Sequence, residues 1–340
     1  MLTLGYKAST EQFAPDQLLE WVVEAEAQGF DAVTASDHFH PWRDDVHCFS
    51  VWPWFGAVGM RTRRIRFGPG VTCPTLRLHP AVVAQDAATL AAMFPGRFWL
   101  GLGTGEALNE RAATGRWPDY PERRAMLAEA VAIIRHLWAG EHLTYRGRYF
   151  QTRAAHLSVR PTAPIPLIIG AAGVSSVRLA GRLGDGWMIP GSEGGLEELQ
   201  RTLIPAFEGA ARAAGRDPAA LGRAVEVKVI CTDDPSAALA EARLWASSLL
   251  PEREKYGLYD PRDMQRYGAL LSDETIRRHW LISADPEDHI ALAEQYLRLG
   301  FDQLYFHTPG PRQGEFLQFY GAHVLPRLRQ RHGTAHRAAA

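Results

Sequence analysis

The stretch Phe30–Trp42, FDAVTASDHFHPW, runs a short apolar segment straight into a loop that holds an acid, two imidazoles and an indole. Phe30–Ser36 reads as a buried strand, since small and β-branched residues fill it and turn chemistry follows. A strand that delivers Asp37, His38, His40 and Trp42 at its carboxyl end is what a parallel α/β fold uses to build a site. The question is whether the rest of the chain repeats that unit.

It does. Strand-like runs occur at Thr3–Lys7, Phe30–Ser36, Arg64–Gly68, Arg97–Gly101, Pro166–Gly170, Asp185–Ile189, Ala224–Cys231 and Phe301–His307. Helix-like stretches fall between or after them, at Pro15–Gln28, Pro80–Met93, Glu122–Trp138, Ser175–Leu183, Leu196–Ala213, Ser236–Ser247, Pro286–Leu299 and Gly314–Arg329. Eight such strands alternating with helices predict a (β/α)8 TIM barrel in residues 1–330, in preference to an open doubly wound sheet. Two segments exceed the repeat, near 140–166 and 250–271. The second, with Pro251, Gly257 and Pro261 among many charges, is placed over the barrel mouth.

Composition narrows the function. The chain has 340 residues, 46% of them hydrophobic, and a formal net charge of -1. That charge creates no field for nucleic acid or anionic lipid, and no apolar run spans a bilayer. Cys48, Cys73 and Cys231 lack metal spacing and read as reduced thiols. With no signal-peptide pattern, the expected location is cytoplasmic. Residues 331–340, basic and small, read as a disordered tail.

In a barrel the strand ends share one mouth, so Asp37, His38, Trp42, Glu106, Asn109 and His307 are expected to converge there. GLGTGEALNE, Gly101–Glu110, lacks a P-loop's lysine, and two readings stand: a tight turn, or backbone brought close to a flat ligand with Glu106 beside it. GAAGVSSVRLAG, Gly170–Gly181, suits an anion, because small residues end a strand and a helix begins at about Ser175, with free amides facing outward. His38, whose type titrates near neutrality, suits the removal of a hydroxyl proton as hydride leaves the same carbon. A packing role is the bland alternative. Asp37 and His38 point opposite ways on extended backbone, so the acid is not assumed to orient the imidazole. His40, before Pro41, reads as loop-shaping. No paired His spacing supports a zinc hydrolase, and no nucleophile elbow supports a serine hydrolase.

LGYKASTEQFAP (Leu4–Pro15), SDHFHPW (Ser36–Trp42), GLGTGEALNE, AGRLGDGW (Ala180–Trp187) and LYFHTPG (Leu304–Gly310) occur in an order that resembles the coenzyme F420-dependent glucose-6-phosphate dehydrogenases, within the luciferase-like oxidoreductases. The likeness runs from about residue 2 to about residue 328. It implies a homodimeric barrel with coenzyme F420 in its mouth. Hydride passes from a sugar 6-phosphate to C5 of the deazaflavin. His38 matches the family's base, Trp42 an indole that stabilises the reacting complex, and Glu106 an acid on the cofactor's pyrimidine side. For the cofactor the likeness implies contacts from Asp37, Thr104, Gly105 and Asn109, a cis peptide at Gly70-Val71, and a phosphate turn at Ala171, Ala172, Gly173 and Val174. Glu11, Lys255 and His279 match substrate-binding positions.

Departures bear on the substrate. Of three family cations that hold the phosphate, the first aligns with Glu193, the second is Lys255 and the third is His279. Arg277 and Arg278 flank the last, but one step along a helix turns a side chain by about 100°. Tyr256 replaces a histidine, and Pro190 a small hydroxyl residue. A carboxylate among phosphate ligands repels the ligand. A sugar phosphate with altered specificity is therefore the first expectation, and a secondary alcohol or other hydroxy compound the alternative. An FMN-dependent monooxygenase and a non-catalytic F420-binding protein are less favoured, because neither needs His38, Trp42 and Glu106 together.

Overall fold

The computed structural model describes residues 2–190 and 195–333. Its strands are short and apolar because a parallel barrel buries both faces of each one. β1 (Thr3–Ala8) is buried at all six positions and β2 (Ala32–Ala35) at all four. Then come β3 (Arg66–Pro69), β4 (Leu100–Leu102), β5 (Leu167–Gly170), β6 (Gly186–Pro190), β7 (Gly222–Ile230), a two-residue β8 (Leu281–Ile282) and β9 (Gln303–His307). They pair in parallel in the order β3-β2-β1-β9-β7-β6-β5-β4, and the bridges Phe67↔Phe98 and Thr72↔Leu102 join the two ends. This is the expected (β/α)8 barrel, and β8 only adds to the end of β7.

Trp99, Tyr305, Ile168 and Met188, with Ala32, Ala224 and Val71, make an apolar plug contributed by different strands. A much larger cluster, with Leu4, Val33, Phe67, Ile169, Val225 and Phe306 on its strand side, lies between barrel and helices. Each large side chain fully buried there contributes roughly 1.5–3 kcal/mol, so this layer carries most of the stability.

Helix starts follow from local chemistry. Asp217, Asp234, Asp260 and Asp285 each precede a proline, and each carboxylate caps an amide of the turn that follows. Pro205 and Pro326 lack the donor that an α-turn needs, and the chain widens just before each into a π-helical segment, Leu199–Leu203 and Tyr320–Val324.

Some elements depart from expectation. The helix Val51–Arg61, between β2 and β3, is not among the expected elements, and it accommodates Pro53, Gly56 and Gly59. Pro53 sits in the first turn, where its missing N–H is not needed. The segment 140–166 forms bridges Leu143↔Ala155 and Arg146↔Gln151 and folds onto the helix Tyr120–Trp138, where the Glu129 carboxylate accepts the amides of Arg148, Tyr149 and Phe150. The last helix runs through His332, later than the expected start of the tail, because Arg331 pairs with Glu287 and His332 with Glu294. Residues 334–340 lie outside the described residues. No helix among the described residues is long and apolar enough to cross a membrane.

The segment 250–271 is helical in part, at Glu252–Lys255 and Pro261–Gly268. Met264 joins Trp42, Leu108, Ile230, Trp245, Ile276 and Trp280 in a second apolar cluster. Strand ends and insertion therefore share one roof over the mouth.

Candidate active site

The loop after β2 is held from both sides. Asn109, on the helix Ala107–Thr114, accepts the Phe39 amide (2.8 Å) and the His40 amide (3.2 Å) on Oδ1, while its Nδ2 donates to Glu106 Oε2 at 3.4 Å. One buried amide thus sets the loop that bears His38 and the carboxylate that faces it.

His38 Nδ1 lies 3.0 Å from the His40 carbonyl, which can only accept, so Nδ1 carries the hydrogen. Nε2 is then the acceptor. It points to Glu106 Oε2 at 3.5 Å, and the Trp42 ring lies 5.1 Å away, centroid to centroid. His38, Trp42, Glu106 and Asn109 are brought together. The Glu106 side chain is 40% exposed, so the protein chain alone does not give it the burial that an acid's role would use.

Asp37 is not at the surface of the mouth. Its carboxylate is fully buried, accepting Thr72 Oγ1 (2.8 Å) and Arg77 Nη2 (3.0 Å). Asp37 forms a buried bridge, and Arg77, which also pairs with Glu110, ties the loop after β3 to the loop after β2. Burial pushes the Glu110 carboxyl up, against the pull of Arg77. As read from the extended backbone, Asp37 and His38 serve different partners.

Gly70-Val71 is a cis peptide bond. The Val71 side chain lies against Gly103, where a Cβ would stand 2.5 Å from Val71 Cγ2. Gly105 has φ +75°, a conformation open to glycine, and a Cβ there would meet Cys73 Sγ and Glu110 Cγ at 2.7 Å. Gly103 serves packing, and Gly105 turns the chain just before Glu106. Thr104 and Gly105 are half-buried.

At the end of β5, Ala171 is buried and its carbonyl accepts Trp187 Nε1, while Ala172 and Gly173 are exposed. The next helix begins at Val174, one residue before the expected start. Ser176 Oγ accepts the Gly173 amide and donates to its carbonyl, which squares the turn. Nothing lies within 4 Å of where a Gly173 Cβ would sit.

The expected substrate positions divide. Glu11 is 3% exposed and is bound by Ser36 Oγ (2.6 Å) and Lys7 (3.6 Å). Burial would raise its pKa, but Lys7, His38 and Ser36 outweigh it and hold the carboxyl down. It therefore pairs with the buried Lys7 within electrostatic reach of His38. Lys255 stands 5.7 Å from the Trp42 ring with Nζ 3.3 Å from the Ser248 carbonyl. His279 donates Nδ1–H to the Thr275 carbonyl, and Arg278 pairs with Glu274. Glu193 lies outside the described residues.

His307 does not line the mouth. It is wholly buried under Trp245 (4.3 Å) and Trp280 (5.3 Å), with Nδ1 on Glu226 at 3.0 Å and Nε2 near Ser9 Oγ. Burial pushes its pKa down. Burial would push Glu226 up, but His307, Lys7 and Lys228 outweigh it and hold that carboxyl at about 2. Lys7 and Glu226, like Arg77 and Glu110, carried no local signal in the sequence, since each sits within or beside a strand or helix that reads as ordinary.

Residues 2–303 match the family of luciferase-like monooxygenases. A protein of Nakamurella multipartita named F420-dependent glucose-6-phosphate dehydrogenase is 44% identical, over 96% of this chain and 97% of its own. One of the same name from Microbacterium testaceum is 44% identical over 97% and 98%. Among solved structures, an F420-dependent secondary alcohol dehydrogenase in complex with an F420-acetone adduct matches with a TM-score of 0.92 and 34% identity, over 96% of this chain and 99% of that one.

Proposed function

The chain belongs to the luciferase-like monooxygenase family, and within it to the group of F420-dependent glucose-6-phosphate dehydrogenases; from that membership we propose a coenzyme F420-dependent dehydrogenase that oxidises a sugar 6-phosphate to its lactone. The observation that carries the reading is the His38–Glu106 pair, with Nδ1–H spent on the His40 carbonyl and Nε2 turned to the mouth beside Trp42.

The residues present fit the cofactor. An acidic group meets small, exposed residues at Ala172 and Gly173, a helix start at Val174, and open space where a Cβ would otherwise stand. Ala171–Val174 would hold the phosphate, and Val71, Thr104 and Gly105 would border the ring. When bound, F420 supplies a ring carbon that accepts a hydride.

The protein's part is proton handling and orientation. His38 Nε2 takes the substrate hydroxyl proton, and the His40 carbonyl keeps the tautomer in which Nε2 is free to do so. Glu106 stands opposite, able to stabilise the imidazolium or to hold a proton at Oε2. Asn109 fixes both groups. Asp37 acts through Arg77 and Thr72 as a positioning residue. Trp42 walls the reacting carbon from water on the roof side.

A second reading, oxidation of a secondary alcohol, is favoured by one observation: of the described cation positions, Lys255 is kept but His279 is turned to Thr275. Bleaching of F420 by the purified protein tests both readings, with glucose 6-phosphate, glucose and isopropanol in parallel. Bleaching with none of them rejects the dehydrogenase. A cytoplasmic homodimer completes the proposal, on family likeness and three unpaired cysteines, and sedimentation in solution checks the dimer.

A further inference from the structure

One hollow at the roof's edge is lined by Trp42, Glu106, Trp117, Arg123, Lys255 and Tyr256. Its polar inventory is lopsided. Trp42 Nε1, Trp117 Nε1 and Arg123 Nε are buried N–H donors with no acceptor among the described residues, and Lys255 lines the same hollow with its ammonium on the Ser248 carbonyl. Of the eight buried side-chain atoms without a partner among the described residues, three donors gather in this one wall, which suits a ligand that accepts. Glu106 is the one carboxylate of this lining, and its Oε2, which faces His38, accepts Asn109 Nδ2.

Arg123 is built into place. It is 5% exposed, its guanidinium carbon sits 3.7 Å over the Trp117 ring, and Nη1 donates to the Pro118 carbonyl at 2.7 Å. Tyr256 closes the far side, with its ring 5.6 Å from the guanidinium and 6.2 Å from Trp117. A stacked arginine is pre-organised for a tetrahedral oxyanion in a way a solvated lysine is not.

We propose that Arg123, Trp117 and Lys255 form the subsite for the substrate's phosphate, with Trp42 bridging it to the reacting carbon, so that phosphate recognition has moved to this wall of the mouth from the positions now held by Glu193 and His279. This rests on the dehydrogenase reading and sharpens it to phosphorylated sugars. It also explains how one family cation can suffice: the missing charge comes from a neighbouring element, the start of the helix Tyr120–Trp138.

Titration of inorganic phosphate and of glucose 6-phosphate into the cofactor-free protein, followed by tryptophan fluorescence and calorimetry, tests it. Saturable binding of both is expected, weakened about 10-fold or more in Arg123→Gln and several-fold in Trp117→Phe, which keeps an aromatic face for Arg123, though a smaller one, and loses the indole N–H. Thermal unfolding identifies any variant that fails to fold, and Trp117→Phe then decides. Absence of phosphate binding in the parent protein, or equal binding in both folded variants, overturns the subsite. Phosphate binding as described without F420 bleaching by any substrate keeps the subsite and removes the dehydrogenase. Bleaching with isopropanol and no phosphate binding does the reverse.

Discussion

His38 Nε2 stands 3.5 Å from Glu106 Oε2, while Asn109 grips the loop of the first and the carboxylate of the second. Imidazole and carboxylate are thus set by a third residue that has little exposure of its own. His38→Ala is expected to lower turnover about 100-fold or more and leave F420 affinity near that of the parent. Steady-state bleaching rates and cofactor titration measure the two separately. Unchanged turnover would remove His38 from the chemistry.

Arg77 lies between two buried carboxylates, Asp37 and Glu110. Arg77→Met leaves both without a counter-charge, and the cost is expected to be about 3–5 kcal/mol. Denaturant unfolding at pH 7.5 measures it. Burial already pushes the Glu110 carboxyl up and loss of Arg77 removes the opposing pull, so the penalty is present at high pH and eases as pH falls and Glu110 protonates. A loss that is the same at pH 5 would show that charge burial is not its origin.

The Glu226–His307 pair ties stability to pH in two windows. Glu226 is held at about 2, below its unfolded value, so its contribution is present above the usual carboxylate range and disappears as pH falls toward 2. His307 is pushed down by burial, so the unfolded chain takes up that proton first and stability drops as pH falls below about 6.5. Glu226→Gln should flatten the acidic slope and His307→Gln the upper one, each by about one proton. Unfolding free energies measured from pH 7.5 to pH 3 give both slopes, and parallel curves for parent and variants refute the assignment.

What the sequence disclosed, and what it hid, follows from the range of each signal. Barrel strands and Asp-Pro helix starts are local patterns, and all eight strand runs reappear within a few residues of their expected limits. His38, Trp42, Glu106 and Asn109 were legible because strand ends in a barrel must meet. Asp37 is expected at the site by its position after a strand, and Glu11 by family likeness alone. Their partners, Arg77 forty residues away and the buried Lys7, draw them inward, and no local pattern records such pairing. His307 was misplaced for a similar reason, since the tryptophans that cover it come from residues 245 and 280.

In the proposed subsite Lys255 sets what the phosphate is worth to the enzyme. Its ammonium stands over Trp42, the ring beside His38, so a phosphate bound to it extends from the point where the hydroxyl proton leaves. Lys255→Ala should raise the KM for glucose 6-phosphate by about 10- to 100-fold, the worth of one charge-assisted hydrogen bond of roughly 1.5–3 kcal/mol. For free glucose the KM should change little, because uniform binding is lost only by a ligand that used it. Equal increases for both sugars would mean that Lys255 supports the roof through Trp42 and Ser248, and that the phosphate is held elsewhere.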